Sequence, residues 1–171
     1  MKKIIFSILL FGITLFGYSQ KIAENYTDEF TKKTIIRTDW EKISASTSLY
    51  LNVRICKIND TNYLELKFFP KGVSSIDKDD DISFMFDDGE IINLNSTEYK
   101  LANYGDGSIG LIGSAALGFD IDCLISESNI TKFKTNLVKK IRINKSEGYS
   151  ESEIKPKNSE KLKKTFEIMY K

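Results

Sequence analysis

Alternating carboxylates form the first candidate site in the sequence. Asp77, Asp79 and Asp81 are spaced like the first three ligands of a calcium loop, in which oxygen atoms converge on one hard cation. Such a loop has glycine at its sixth position and a bidentate Glu at its twelfth, where this sequence has Ile82 and Asp88. The segment is therefore not an EF-hand. It is either a looser Ca²⁺ site or a solvated, acidic start of a strand that discourages aggregation.

A glycine-rich segment supplies the second candidate. Residues 105–110 read GDGSIG, which matches G-x-G-x-x-G. A dinucleotide site needs a strand before this motif and a helix opening within it, whereas here more glycine-punctuated sequence follows. We therefore expect no cofactor. The segment is instead a bulged or flexible stretch, or a ligand-contact loop that exposes Tyr104 and Asp106.

No residue set in the sequence is selected as catalytic. Ser152 and Lys155 match S-x-x-K, but that nucleophile needs a helix start in a packed cleft, and this copy lies in the polar stretch 145–158. A glycosidase needs only two carboxylates, and the sequence has 24 Asp and Glu without a spacing that selects two.

The complete lack of histidine restricts the chemistry further. It removes the commonest general base and the commonest metal ligand, so Ser-His-Asp and Cys-His nucleophiles and His-bearing zinc sites are excluded. Two cysteines are too few for a Cys₄ site. We therefore predict a protein without a resident metal or cofactor, and a non-enzymatic function is favoured.

The N-terminus has the features of a secretory signal. Lys2 and Lys3 precede an apolar stretch at 4–16, and Gly17 and Ser19 are the small residues of a cleavage site after position 19. The alternative is an uncleaved anchor. We expect residues 1–19 to be removed and 20–171 to be one soluble domain, periplasmic or extracellular, because no second long apolar stretch follows.

The charge balance argues against a nucleic-acid partner. Without Lys2 and Lys3 the chain has 23 basic and 24 acidic residues, and only three of the basic ones are arginine. Nucleic-acid binding needs a basic surface, and arginine supplies its bidentate contacts. An unidentified protein or glycan partner is the remaining expectation.

Cys56 and Cys123 allow two interpretations. Export permits oxidation, so they are a possible disulfide if their strands are neighbours. Free cysteine also packs as a small apolar residue, which makes two separate buried thiols the alternative.

Period-2 alternation dominates the chain and predicts a mainly β fold. Residues 49–58 form the clearest strand, and a four-residue turn at 59–62 connects it to a strand at 63–69. Residues 82–94 form a second hairpin. A three-residue turn with Gly89 at positive φ keeps the apolar residues of both its strands on one face.

Later elements complete the predicted fold. We expect a short helix near 128–137 that Ser128 caps, a polar linker at 145–158 and a C-terminal helix near 159–170. About eight strands in antiparallel order then form a sandwich or a partly closed barrel.

Several stretches of the mature chain resemble small uncharacterised secreted proteins of Gram-negative bacteria. They are DEFTKK at 28–33, RTDWE at 37–41, the DG turn at 88–89 and IRI at 141–143. The resemblance implies a β-rich envelope protein and no particular activity.

The leading interpretation is a non-enzymatic protein that binds a partner or ligand through loops on a β scaffold. A small glycan hydrolase with two carboxylates is the first alternative. The second is a barrel that encloses an apolar ligand.

Overall fold

Antiparallel pairing joins the strands of this protein into two main sheets, as the alternating sequence pattern predicts. The computed structural model describes residues 22–46, 49–69, 74–102 and 119–171. Its strands are β1 Ile22–Thr27, β2 Thr34–Thr38, β3 Glu41–Ala45, β4 Tyr50–Ile58, β5 Thr61–Phe69, β6 Ser74–Ile76, β7 Asp81–Phe86, β8 Ile91–Asn95, β9 Lys100–Ala102, β10 Phe119–Leu124, β11 Val138–Lys145 and β12 Gly148–Glu153. Its helices are α1 Glu127–Thr135 and α2 Pro156–Met169.

The first sheet has six strands in the order β1-β2-β4-β5-β10, with β3 also paired to β4. Two strands pair with the same edge of the long strand β4. Strand β2 pairs with the second half of β4, and β3 pairs with its first half. The connection between β2 and β3, residues 39–40, therefore lies beside the middle of β4.

The second sheet has four strands in the order β12-β11-β7-β8, and β6 pairs with β9 in a separate two-stranded ribbon. An isolated bridge between Ser96 and Cys123 links the end of β8 to β10. The described strands form no closed barrel, and the arrangement is an antiparallel sandwich.

The inward faces of both sheets form one apolar core. Alternate residues of β4 and β5 point inward, and so do those of β7 and β11, because successive side chains in a strand lie on opposite faces. The largest fully buried side chains are Phe68, Phe84, Phe86, Phe133 and Phe166. Side chains therefore fill the space between the sheets.

The two helices cover one side of this core. Phe133 of α1 meets Phe84 and Phe86 edge-on, at 5.2 and 5.1 Å between ring centroids, and it stacks on Phe166 of α2 at 4.6 Å. Pro156 occupies the first turn of α2, where its missing N–H costs no helical hydrogen bond. None of the helices within the described ranges has the length and apolarity to cross a bilayer.

The second predicted hairpin is confirmed in detail. Gly89 has φ of +88°, and the N–H of Phe86 donates to the carbonyl of Glu90 at 2.9 Å across a three-residue turn. Phe84 lies opposite Ile92. The apolar residues of both strands consequently share the core face.

Other predicted boundaries need correction. The turn after β4 has two residues, Asn59 and Asp60, because Asn59 adopts φ of +52° and allows a tight reversal. The cap of α1 is Ser126, whose hydroxyl accepts from the N–H of Asn129, so the helix begins before the predicted Ser128. Helix α2 begins at Pro156, three residues before the predicted start of the helix at 159–170.

The predicted polar linker at 145–158 is wrong. These residues complete β11, form β12 and begin α2. Strand β12 is an edge strand in which only one of six residues is buried, which agrees with its polar sequence. Strand β1 was also not predicted, because residues 22–27 are mostly polar and are not recognisable as an edge strand. The predicted signal peptide at 1–19 lies outside the described residues.

Candidate functional site

A charged row crosses the outward face of the six-stranded sheet. Arg54 of β4 lies opposite Glu65 of β5, which lies opposite Asp122 of β10. On the other side of β4, Arg37 of β2 pairs with Cys56. All five side chains share one face because directly paired residues in a sheet point the same way.

The two arginines and the glutamate of this row form a ring of ion pairs with Glu24 of β1, which is paired with Arg37. Arg37 Nε donates to Glu65 Oε1 at 3.3 Å, and its Nη1 donates to Glu24 Oε2 at 2.8 Å. Arg54 Nε donates to Glu65 Oε2, and its Nη1 lies 3.8 Å from Glu24 Oε1. Each guanidinium therefore contacts both carboxylates.

Three members of the ring are largely withdrawn from solvent, whereas the Glu24 side chain is 37% exposed. The Glu65 side chain is only 11% exposed, against 23% for Arg37 and 20% for Arg54. Burial alone would lower the pKa of Arg37, but the hydrogen bond to Glu24 and the charge of Glu65 outweigh burial and raise it. Since charges removed from water need partners, each member holds the others in place.

Cys56 is buried in contact with this ring. Burial, with the charge of Glu65 and a hydrogen bond to it, raises the pKa of the thiol to about 11. Burial also raises the pKa of Cys123 to about 12. Neither thiol is therefore a reactive nucleophile at neutral pH.

The possible disulfide between Cys56 and Cys123 is not formed, because both cysteines are free. Strand β5 lies between their strands, and adjacent strands are about 4.8 Å apart, so their Cα atoms exceed the reach of a disulfide. Cys56 also points outward with Tyr63, whereas Cys123 points into the core with Leu64.

Trp40 lies over the ring from the connection between β2 and β3. The guanidinium carbon of Arg54 is 4.4 Å from the centroid of the indole, and Lys67 Nζ is 5.1 Å from it. Both contacts are cation–π distances. Lys67 Nζ also lies 3.4 Å from Asp120 Oδ1, so a second ion pair flanks the tryptophan.

Asp122 is the remaining charged group of the row. Its carboxylate receives no hydrogen bond from any side chain or N–H among the described residues, and the residue is partly buried. Burial raises the pKa of Asp122, and the charge of Glu65 raises it further. This carboxylate is therefore available to a ligand that donates.

A concavity of about 410 Å³ lies above these residues. This volume falls in the range of small-molecule sites. Its lining is polar except for Trp40 and Leu66, and it contains donors from arginine and lysine as well as acceptors from aspartate and glutamate. The lining residues are Arg37, Trp40, Arg54, Glu65, Leu66, Lys67, Asp120 and Asp122.

The geometry favours binding over bond cleavage. Glu65 and Asp122 lie directly opposite each other, as a retaining glycosidase would require of its two carboxylates. Both oxygens of Glu65, however, accept from arginines, and its side chain is almost fully buried. It is therefore poorly placed to attack a sugar carbon.

The aspartates considered as a candidate calcium site do not converge. Asp77 Oδ1 accepts from the N–H of Lys78, and Asp81 Oδ1 accepts from the amide of Asn95 at 3.2 Å. Asp80 Oδ2 accepts from the N–H of Asp77, so these carboxylates stabilise the turn before β7. No group of three or more His, Cys, Asp or Glu in the described ranges can hold a metal ion.

Of the other sequence candidates, Ser152 and Lys155 lie apart from the concavity. Tyr104 and Asp106 fall outside the described residues. Ser152 is on β12, where its hydroxyl accepts from Ser44 Oγ at 2.9 Å, and Lys155 precedes α2 as its cap residue. That pair lines a different hollow of about 310 Å³ with Ser44 and Asn158.

The ring of ion pairs was not predicted from the sequence, although the positions of the arginines indicate it. Two of the only three arginines of the chain occupy outward positions of β2 and β4. A two-residue turn at 59–60 places Arg54 opposite Glu65, whereas the predicted four-residue turn would place it opposite Lys67. Cross-strand charge complementarity would have selected the shorter turn.

Comparisons of the chain with known protein families, with curated proteins and with solved structures find no match.

Proposed function

We propose that this protein is exported and binds a glycan on the outward face of its six-stranded sheet, without catalysing a reaction. The observation that carries the proposal is the polar concavity of about 410 Å³ beside Trp40. The proposal of export rests on the sequence of residues 1–19.

The chemistry of the lining suits a sugar. Each hydroxyl of a sugar both donates and accepts, so a glycan site needs donors and acceptors side by side. Lys67 and Arg54 supply donors here, and Asp120 and Asp122 supply acceptors. The edge or face of an aromatic ring such as Trp40 packs against the C–H surface of a sugar.

Preorganisation supports the same function. Ion pairs and the indole already hold Arg54 and Lys67, so ordering them again on binding costs little side-chain entropy. The ring beneath them is fixed by burial. A shallow, rigid and polar surface of this kind favours recognition of an extended polar ligand over enclosure of an apolar one.

Hydrolysis of a glycan remains the second candidate, because Glu65 and Asp122 occupy directly opposed positions. The two functions differ in their products. Incubation with a soluble tetrasaccharide generates new reducing ends only if the protein is a hydrolase. We expect none, and their accumulation with the wild type but not with Asp122→Asn would overturn the binding proposal.

Trp40 provides the direct test, because it is the only tryptophan of the chain. We expect saturable changes in its fluorescence when cellotetraose, the tetramer of N-acetylglucosamine or the tetramer of glucosamine is titrated into the mature protein. Lys67→Ala should weaken the binding. Lys139→Ala, an exposed change on the other sheet, is the matched control. No saturable change with any of the three sugars would contradict the proposal.

A further inference from the structure

The lining of the concavity carries three positive and three negative side chains, and Glu24, which pairs with Arg37 and Arg54 outside the lining, adds one further negative charge. Arg37 and Arg54 are balanced by Glu24 and Glu65 within the ring, so that set carries no net charge. Any uncompensated charge must therefore belong to a residue outside this ring.

The remaining pair of charges also cancels. Lys67 is balanced by Asp120 at 3.4 Å. Nearby Lys100 contributes a positive charge, but its ammonium is engaged by Glu98 at 2.5 Å. Asp122 is left as a surplus negative charge on the wall of the concavity, without a donor among the described residues.

From this imbalance we propose that the bound glycan carries a free, protonated amine, and that Asp122 contacts this amine with support from Asp120. The inference rests on the proposed glycan-binding function and specifies its ligand as an amino sugar that is not acetylated. An ammonium group supplies the donors that Asp122 lacks and cancels its charge. A neutral hydroxyl or an acetamide supplies a donor but leaves the charge uncompensated.

The groups that face Asp122 favour a cationic ligand. Glu65 on β5 and Asp120 on β10 add negative charge, and so does Glu98 before β9, whereas Lys100 on β9 opposes them. Burial first, and then the charge of Glu65, raise the pKa of Asp122. A bound ammonium reverses part of this shift, so binding should weaken as the pH falls through the raised pKa.

A matched pair of ligands tests the inference. The tetramers of glucosamine and of N-acetylglucosamine share one backbone and differ in the charge of the amine. Trp40 fluorescence reports occupancy by either sugar. We expect the free amine to bind about tenfold more tightly, and Asp122→Asn to abolish this preference.

Two further variants control the experiment. Asp120→Asn should reduce the preference in part, and Asp79→Asn, an exposed change in the turn before β7, should leave it intact. A thermal melt of each variant shows whether it is folded.

The possible results separate the two proposals. Equal binding of the two tetramers would overturn the inference while the glycan-binding function stands. A preference for the amine that survives in Asp122→Asn would also overturn it, because the charge would then come from another group. Binding of neither tetramer, nor of cellotetraose, would overturn the proposed function and the inference together.

Discussion

The outward faces of the two sheets carry the same motif in different surroundings. On the six-stranded sheet, Glu65 accepts from Arg37 and Arg54. On the four-stranded sheet, Glu151 of β12 accepts from Lys140 Nζ at 2.9 Å and from Arg142 Nη2 at 2.6 Å. Each arrangement places one carboxylate between two cations, but the central carboxylate and both its cations are less exposed in the first than in the second.

The difference lies in what surrounds each carboxylate. The Glu65 side chain is 11% exposed and that of Glu151 is 25% exposed, while the Arg142 side chain is 47% exposed. Trp40 covers Arg54, whereas Arg142 stacks on Tyr149, which itself faces solvent. Water competes for the second cluster and screens it more than the first, although Lys140, Arg142 and Glu151 also line a concavity, of about 260 Å³.

Removing the central carboxylate should produce the largest difference between the faces. Glu65→Gln leaves Arg37 and Arg54 partly buried with only the more exposed Glu24 as a charged partner in the ring, and we expect the free energy of unfolding to fall by about 2–4 kcal/mol. Glu151→Gln should cause a much smaller change, because water solvates its exposed partners. Urea denaturation followed by circular dichroism measures both variants.

The proposed difference between the two faces is contradicted if Glu65→Gln and Glu151→Gln lower the free energy of unfolding equally. Equal losses would mean that the ring is as well solvated as the open cluster. Glu65→Gln also tests the site, because the floor beneath Trp40 should loosen and shift its fluorescence in the folded state.

Replacing a guanidinium by an ammonium should have the next largest effect. Arg54→Lys keeps the charge but cannot contact both glutamates while it stacks on Trp40, so we expect a loss of about 1–2 kcal/mol. Arg142→Lys is the control on the exposed face, where a near-neutral change is expected. Thermal denaturation distinguishes them, and a neutral Arg54→Lys would show that charge alone stabilises the ring.

The two faces should respond to pH with opposite signs. The raised pKa of Asp122, due first to burial, means that its contribution is favourable in acid and is lost as the pH rises through that pKa. Hydrogen bonds from Lys140 and Arg142 lower the pKa of Glu151, so its contribution is present at neutral pH and is lost as the pH falls through the lowered value.

Asp122→Asn tests the first of these signs. It should stabilise the protein at neutral pH, by less than about 1 kcal/mol, because it removes a carboxylate opposite Glu65. The gain should disappear in acid, below the ordinary pKa of aspartate. Stability curves of wild type and variant between acid and neutral pH measure it. A gain that persists in acid would mean that the substitution acts through packing and not through charge.

The core was predictable from the sequence because burial imposes a period of two. The inward residues of β4, such as Leu51 and Val53, and the turn at Gly89 follow from alternation alone. Edge strands were harder to predict. Strand β12 is hydrogen-bonded along only one edge and its residues are polar, so its sequence resembles a linker.

The site was not predictable in the same way, because it depends on register and not on period. Turns of two and of four residues after β4 keep the same residues inward, yet they place Arg54 opposite different partners, Glu65 or Lys67. The Trp40 contact also depends on β2 and β3 sharing the edge of β4, and no local pattern encodes that arrangement.

The smallest expected effect concerns the reactivity of the two cysteines, which lie on opposite faces of the same sheet. Cys56 lies under the ring and Cys123 in the core, and both are fully buried with pKa values raised by burial to about 11 and 12. At about pH 8 each is almost entirely the unreactive thiol, so we expect no labelling of the folded protein by Ellman's reagent. Two thiols should react after unfolding in the absence of a reductant. If neither reacts until a reductant is added, the cysteines are bridged, and the register that separates them by β5 and places them on opposite faces is wrong.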